Sequence, residues 1–210
     1  MTRKPPSRSD HLRSAIAQEA ARIMAEHGIH DFGVAKRKAA ERYGISEGAV
    51  LPKNTEIEAA LVAHQRLFGN ERHARSLQRQ RRAALAAMLL LQAFEPRLVG
   101  PVLTGTATEY ADIQLHVFAE PAESVYIQML DRNIDHEVIE RRVKMQADRQ
   151  LALPGLRFAL DDETIDVAIF PRDGIRQAPI SPVDGRPMRR ADATEVEELV
   201  AELPGSVARV

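Results

Sequence analysis

At Pro96 the sequence changes its period. Upstream, apolar residues recur every three or four positions, as helices that bury one face require. Downstream, short apolar runs alternate with turn residues, which is how strands read. The helical part opens with Leu12, Ile16, Ala20, Ile23 and Met24, predicting a helix over 10–27 that Gly28 stops. A second helix follows, with Asp31 as N-cap, Val34, Ala35, Ala39 and Tyr43 turned inward, and an end at Gly44. Thr55-Glu56-Ile57-Glu58 has the form of a capping box and opens a third helix running to Phe68, closed by Gly69-Asn70. The longest helical pattern runs from Glu71 to about Phe94, with Leu77, Ala84, Leu85, Met88, Leu89 and Leu91 inward.

Beyond Pro96, strands are expected at 98–104, 112–118, 137–145, 155–161 and 164–171, the last two joined by Asp161-Asp162-Glu163 as a tight hairpin. Pro121 starts one intervening helix, carried by Val125, Met129 and Leu130, and a last helix spans 193–203 with Asp192 or Thr194 as its cap. Helices first and a mixed sheet afterwards make α+β the expected class. Three segments follow: a helical region over 1–70, an α+β core over 71–173, and a tail over 174–210 rich in proline, glycine and arginine.

Composition narrows the chemistry. With no cysteine among 210 residues, disulfides, zinc-thiolate sites, iron-sulfur clusters and a thiol nucleophile are excluded. A formal net charge of -1 argues against a protein basic over its whole surface. An aromatic content of 4% without tryptophan makes base stacking a poor main mode of binding, leaving arginine as the natural nucleic-acid contact. The basic N-terminal stretch lacks the apolar core of a secretory signal, and no apolar run approaches the length of about 20 residues that spans a bilayer. A cytoplasmic protein without a membrane partner is expected.

The segment from Leu98 to Glu120 carries the most specific pattern. An apolar run reaches Thr104-Gly105-Thr106, and a later strand opens with Asp112-Ile113-Gln114. Backbone N–H groups at a small-residue turn can hold phosphate. Residues two apart on a strand share a face, so Asp112, Gln114 and His116 line up. Asp166 lies between the apolar Ile165 and Val167, where an unpaired charge is costly. Phosphoryl and nucleotidyl transfer need both parts, N–H groups for the phosphates and carboxylates for divalent metal.

This arrangement resembles the core of the nucleotidyltransferases of the DNA polymerase β superfamily. There, a Gly-Ser turn precedes an Asp-x-Asp strand and a third acid stands on a later strand of the same sheet. The resemblance covers residues 72–171. It implies that Gly105 and Thr106, with Thr104, bind the triphosphate, that Asp112 and Asp166 bind magnesium, and that Gln114 stands at the second acid's position and orients rather than ligates. It also implies a nucleotide as ligand and nucleotidyl transfer as activity. The chain is similar as well to a bacterial protein group whose members end in a stretch like 174–190, a similarity that brings no activity with it. In that tail, the guanidinium groups of Arg176, Arg186, Arg189 and Arg190 are suited to clamp phosphate.

A different class of function rests on other residues. Arg72, Arg75, Arg79 and Arg82 recur every three or four positions and lay a basic stripe along the long helix, suited to an RNA or DNA backbone. Residues 39–50 resemble the turn of a helix-turn-helix, although Pro52 would break a recognition helix soon after its start. On this reading the chain is a non-catalytic module whose basic helix meets nucleic acid and whose N-terminal hairpin meets nucleic acid or a protein. The seven histidines show no metal-ligand spacing. Neither a P-loop nor a dinucleotide-binding glycine motif occurs.

Overall fold

A computed structural model describes residues 8–29, 31–45, 51–65, 67, 70–146 and 149–201. Their architecture is α+β, with seven α-helices and one five-stranded mixed sheet among the described residues. The chain divides into two compact units, Met1–His73 with Pro182–Asp184, and Ala74–Ser181 with Gly185–Val210.

The first unit is built on α1 (Arg8–His27), α2 (Phe32–Arg42) and α3 (Asn54–His64). Ile16, Ala20, Ile23 and Met24 of α1 pack with Ala35 and Ala39 of α2 and with Ile57 and Leu61 of α3. Asp31 caps α2, its carboxylate accepting from the N–H of Val34 at 2.7 Å. The capping box at α3 lies two residues earlier than expected. Glu56, not Glu58, reaches back, accepting at 2.6 Å from the N–H of Lys53. Leu12 and Tyr43 are exposed rather than inward. The expected helix end at Phe68 and Gly69, and residues 46–50 of the helix-turn-helix resemblance, lie outside the described residues.

The second unit holds the sheet, in the order β1-β2-β5-β4-β3: β1 (Arg97–Val99), β2 (Ile113–Phe118), β3 (His136–Lys144), β4 (Gln150–Leu160) and β5 (Glu163–Phe170). The pair β2–β5 is parallel and the other three are antiparallel. One sheet face is apolar and carries the core. Ile113, Leu115 and Val117 of β2, Leu156 and Phe158 of β4, and Ile165, Val167 and Ile169 of β5 meet Ala84, Met88 and Leu91. The helices on this face are α4 (Asn70–Leu90), α5 (Gly100–Thr104), α6 (Glu123–Asp131) and α7 (Ala193–Ala201). Leu89 and Leu130 point to solvent, against expectation, because their neighbours Met88 and Met129 take the inward positions.

Two local outcomes shape the other face. The apolar run from Leu98 to Thr104 is not one strand. It is β1 followed by α5, because Gly100 takes the positive φ of 73° and Pro101 stands at the start of a helix, where its missing N–H costs nothing. Asp161 and Asp162, with φ of 51° and 63°, form the two-residue turn of the β4–β5 hairpin, the conformation that matches strand twist. Glu163 therefore belongs to β5 rather than to the turn. The tail is ordered through Asp192. Residues Arg172–Arg176 form a 3₁₀ turn, Ile180 bridges Pro187, and Ala191 pairs with Leu98 along the outer edge of β1. At α7, Asp192 and Glu195 exchange side-chain to backbone hydrogen bonds of 3.0 and 3.1 Å. No described helix is long and apolar enough to cross a membrane.

Candidate functional site

The second sheet face collects the polar residues beside a smaller apolar cluster of Phe118, Leu153, Ala168 and Phe170. Because β2 and β5 run parallel with Gln114 opposite Asp166, the two positions stand side by side. Asp112 leads into β2, and its entry is fixed from below. Gln80, fully buried on α4, donates its amide to the carbonyls of Thr108 at 2.9 Å and Ala111 at 3.4 Å, and the latter immediately precedes Asp112. Asp166 has a side chain only 10% exposed, so its charge requires partners.

Those partners are two arginines from the neighbouring hairpin. The turn at Asp161-Asp162 sets Arg157 opposite Asp166, and the Nη2 of Arg157 donates to Asp166 Oδ2 at 3.1 Å and to Asp112 Oδ2 at 3.4 Å. One nitrogen thus bridges both carboxylates, whose oxygens can be no farther apart than those two distances together. Arg141 of β3 reaches the same acid from two strands away. Its Nε donates to Asp166 Oδ1 at 2.7 Å and its Nη2 to Oδ2, a two-pronged grip. Arg141 crosses β4 over Gly155, where a Cβ would meet the carbonyl oxygen of Val167 at 2.5 Å. The close approach of β5 therefore requires glycine, while Arg141 Cγ would lie 3.4 Å from that Cβ, an ordinary contact. Partial burial and the adjacent Arg157 push the Arg141 guanidinium below its usual pKa, against the pull of Asp112 and Glu137.

Gln114 is confined. A Cβ at residue 100 would meet Gln114 Oε1 at 2.6 Å, so Gly100 is both the start of α5 and the space that the amide fills. The turn expected to cradle phosphate lies instead at the far end of α5. Gly105 closes that helix with φ of 81°, and the N–H groups of Gly105, Thr106 and Ala107 all donate to the carbonyl of Pro101. Phosphate at Thr104, Gly105 and Thr106 would meet the two hydroxyls, 3.0 Å apart, or N–H groups freed from that carbonyl.

Farther along the same face, Arg190 from the tail lies over Phe118 and Phe170, 5.0 and 4.9 Å from their ring centroids. It donates to His116 Nδ1 at 3.1 Å and to the carbonyls of Gly174 and Ile175 at 2.8 and 3.2 Å. His116 is buried, and burial together with the Arg190 charge pushes its pKa down to about 3, so the ring is neutral and carries its proton on Nε2. Burial and the neighbouring Arg97 bring Arg190 down to about 10.

Asp112, Gln114 and Asp166 are therefore brought together, with His116 on the same face. Arg176 and Arg186 are exposed on the tail, and the tail arginine that reaches the sheet is Arg190. Arg72, Arg75, Arg79 and Arg82 all lie on the exposed side of α4, where Arg79 pairs with the nearly buried Glu163. Arg141 and Arg157 were not foreseen from sequence, although a hairpin centred on Asp161-Asp162 places Arg157 across from Asp166 by counting alone. The donor set does not suit a pair of magnesium ions. Position 114 carries an amide packed against Gly100, both oxygens of Asp166 are held by guanidinium groups, and the described residues hold no cluster of three acids or histidines fit to bind a metal. The sequence matches no protein-family model, and no curated protein matches it.

Proposed function

We propose that the Ala74–Ser181 unit is a nucleotidyltransferase-like core that binds a nucleotide or RNA without turning it over. The observation that carries this reading is the convergence of Gln114 and Asp166 on neighbouring parallel strands with Asp112 at the entrance to the first, both acids being bound by Arg157. Convergence from separate strands is what a nucleotidyl-transfer site needs, and the held carboxylates are what argue for binding rather than for magnesium-dependent transfer. The exposed stripe of Arg72, Arg75, Arg79 and Arg82 supports a nucleic-acid backbone as the polymeric form of the ligand. A cysteine-free chain is in keeping with a cytoplasmic setting.

The test is a thermal-shift screen of nucleoside triphosphates and short RNAs, with and without magnesium, on wild type, Asp112→Ala and Asp166→Ala. A ligand that binds the folded state raises its melting temperature. The expected result is a rise with nucleotide or RNA and no triphosphate consumption. Magnesium-dependent consumption abolished by either substitution would establish an enzyme instead, and no shift with any ligand would end the nucleotide reading.

A further inference from the structure

A carboxylate that is nine-tenths buried in a sheet face must be neutralised by a proton, a metal or an organic cation. At Asp166 the choice is made by the fold. Three N–H donors from two guanidinium groups take both of its oxygens, and one of those groups also takes Asp112. Two features commit the chain to this solution. The β4–β5 turn sets Arg157 in register with Asp166, and the position beside Asp166 is a neutral amide. Two positive groups answer two negative ones, so a divalent cation entering here would face uncompensated arginines. Both side chains remain more than a third exposed, at 35% for Arg141 and 39% for Arg157, although Arg157 Nε itself is buried.

Building on the nucleotide-binding reading, we propose that Arg141 and Arg157 take the place of divalent metal in this site. The carboxylates hold the two guanidinium groups in position, and the outward N–H donors of those groups bind a phosphate of the ligand directly. Phosphate recognition by a preorganised pair of arginines is planar and bidentate, and it needs no metal bridge.

Two measurements on the full-length chain decide the matter. The first titrates manganese(II) alone and follows the free-ion signal by electron paramagnetic resonance. Wild type is expected to leave that signal unchanged, whereas stoichiometric manganese binding lost in Asp166→Asn would overturn the proposal while leaving nucleotide binding intact. The second is calorimetric titration with ATP in EDTA and in magnesium. Equal affinity in the two buffers, weakened about tenfold by Arg141→Gln as the loss of a charge-assisted contact implies, supports the proposal. Arg141 supplies two of the three donors to the buried Asp166, so the melting temperature of this variant is read beside its affinity to separate a lost contact from lost folding, and Arg157→Lys provides a second reading at the bridging position. Affinity that appears only with magnesium overturns the metal-free site, and wild type that binds neither ATP nor RNA in either buffer overturns the parent reading with it.

Discussion

The two faces of the sheet are made from the same strands and obey opposite rules. On β5, Ile165, Val167 and Ile169 are completely enclosed by helices, while the residues between them, Asp166 and Ala168, and the terminal Phe170 face the other way. The apolar face is held by non-directional packing, so many hydrophobic combinations of similar volume would serve there. The opposite face carries only a small apolar cluster of Phe118, Leu153, Ala168 and Phe170, and beside it directional contacts join particular pairs, namely Asp166 with Arg141 and Arg157, and Arg190 with His116 and two rings. Stability should reside mainly in the first face and specificity in the second.

The contrast can be broken most forcefully from the packed side. Ile165→Ala is expected to cost about 2–5 kcal/mol, read as a lower urea midpoint with unchanged m-value. A smaller cost would mean that the helical layer collapses readily into the cavity. Next in size is Asp166→Ala, which strands two partly exposed arginines. Because solvent screens them, the loss should be about 1–3 kcal/mol, and pairing it with Arg157→Ala in a double-mutant cycle should recover part of that loss. If the two losses simply add, the ion network has no cooperative worth.

Removing the tail's hold through Arg190→Ala should cost about 1–2 kcal/mol, from a partly desolvated cation–π contact and a buried acceptor left unpaired. Hydrogen exchange is expected to quicken over 172–191 while the β2 and β5 amides stay protected. At neutral pH the smallest loss is expected at His116, whose effect appears instead as pH falls. His116 is held neutral in the folded state with a pKa of about 3, well below the ordinary unfolded value of about 6.5. Its contribution is fully present above about pH 6.5 and is lost as pH falls from there toward 3. His116→Gln keeps an acceptor for Arg190 and should flatten the stability profile across that window, whereas an unchanged slope would assign the acid sensitivity to the carboxylates.

How much of this was legible depended on whether the signal was local. Asp31 and Asp192 announce helix starts by their own chemistry, and both cap as their positions suggest. The alternation of β2 and β5 likewise put Gln114, His116 and Asp166 on their strands, with Asp112 one residue before β2 begins. The run from Leu98 to Thr104 misled because its composition is that of a strand. Gly100-Pro101 was the sign of a helix start, since proline inside a strand removes a ladder donor. The arginines were hidden by register. Placing Glu163 in the hairpin turn shifts the pairing by one residue and turns Arg157 away from Asp166. No local pattern could reveal Arg141, which reaches its partner across an intervening strand.

The sheet's two outer strands, β1 and β3, end the fold in different ways. Along β1, Leu98 exchanges hydrogen bonds of 2.8 and 2.9 Å with Ala191, so the chain's own tail occupies that border. Strand β3 is longer, and among the described residues the tail meets its last carbonyl, that of Lys144, at 2.6 Å from the N–H of Ile180. Its exposed positions include Glu137, Glu140, Arg142 and Lys144. Another polypeptide trying to zip onto that border would have to dehydrate both signs of charge at once, the familiar guard against runaway strand addition. A crowded solution of this protein should therefore stay clear at moderate salt, and neutralising Glu140 and Arg142 together is the change most apt to make it cloud.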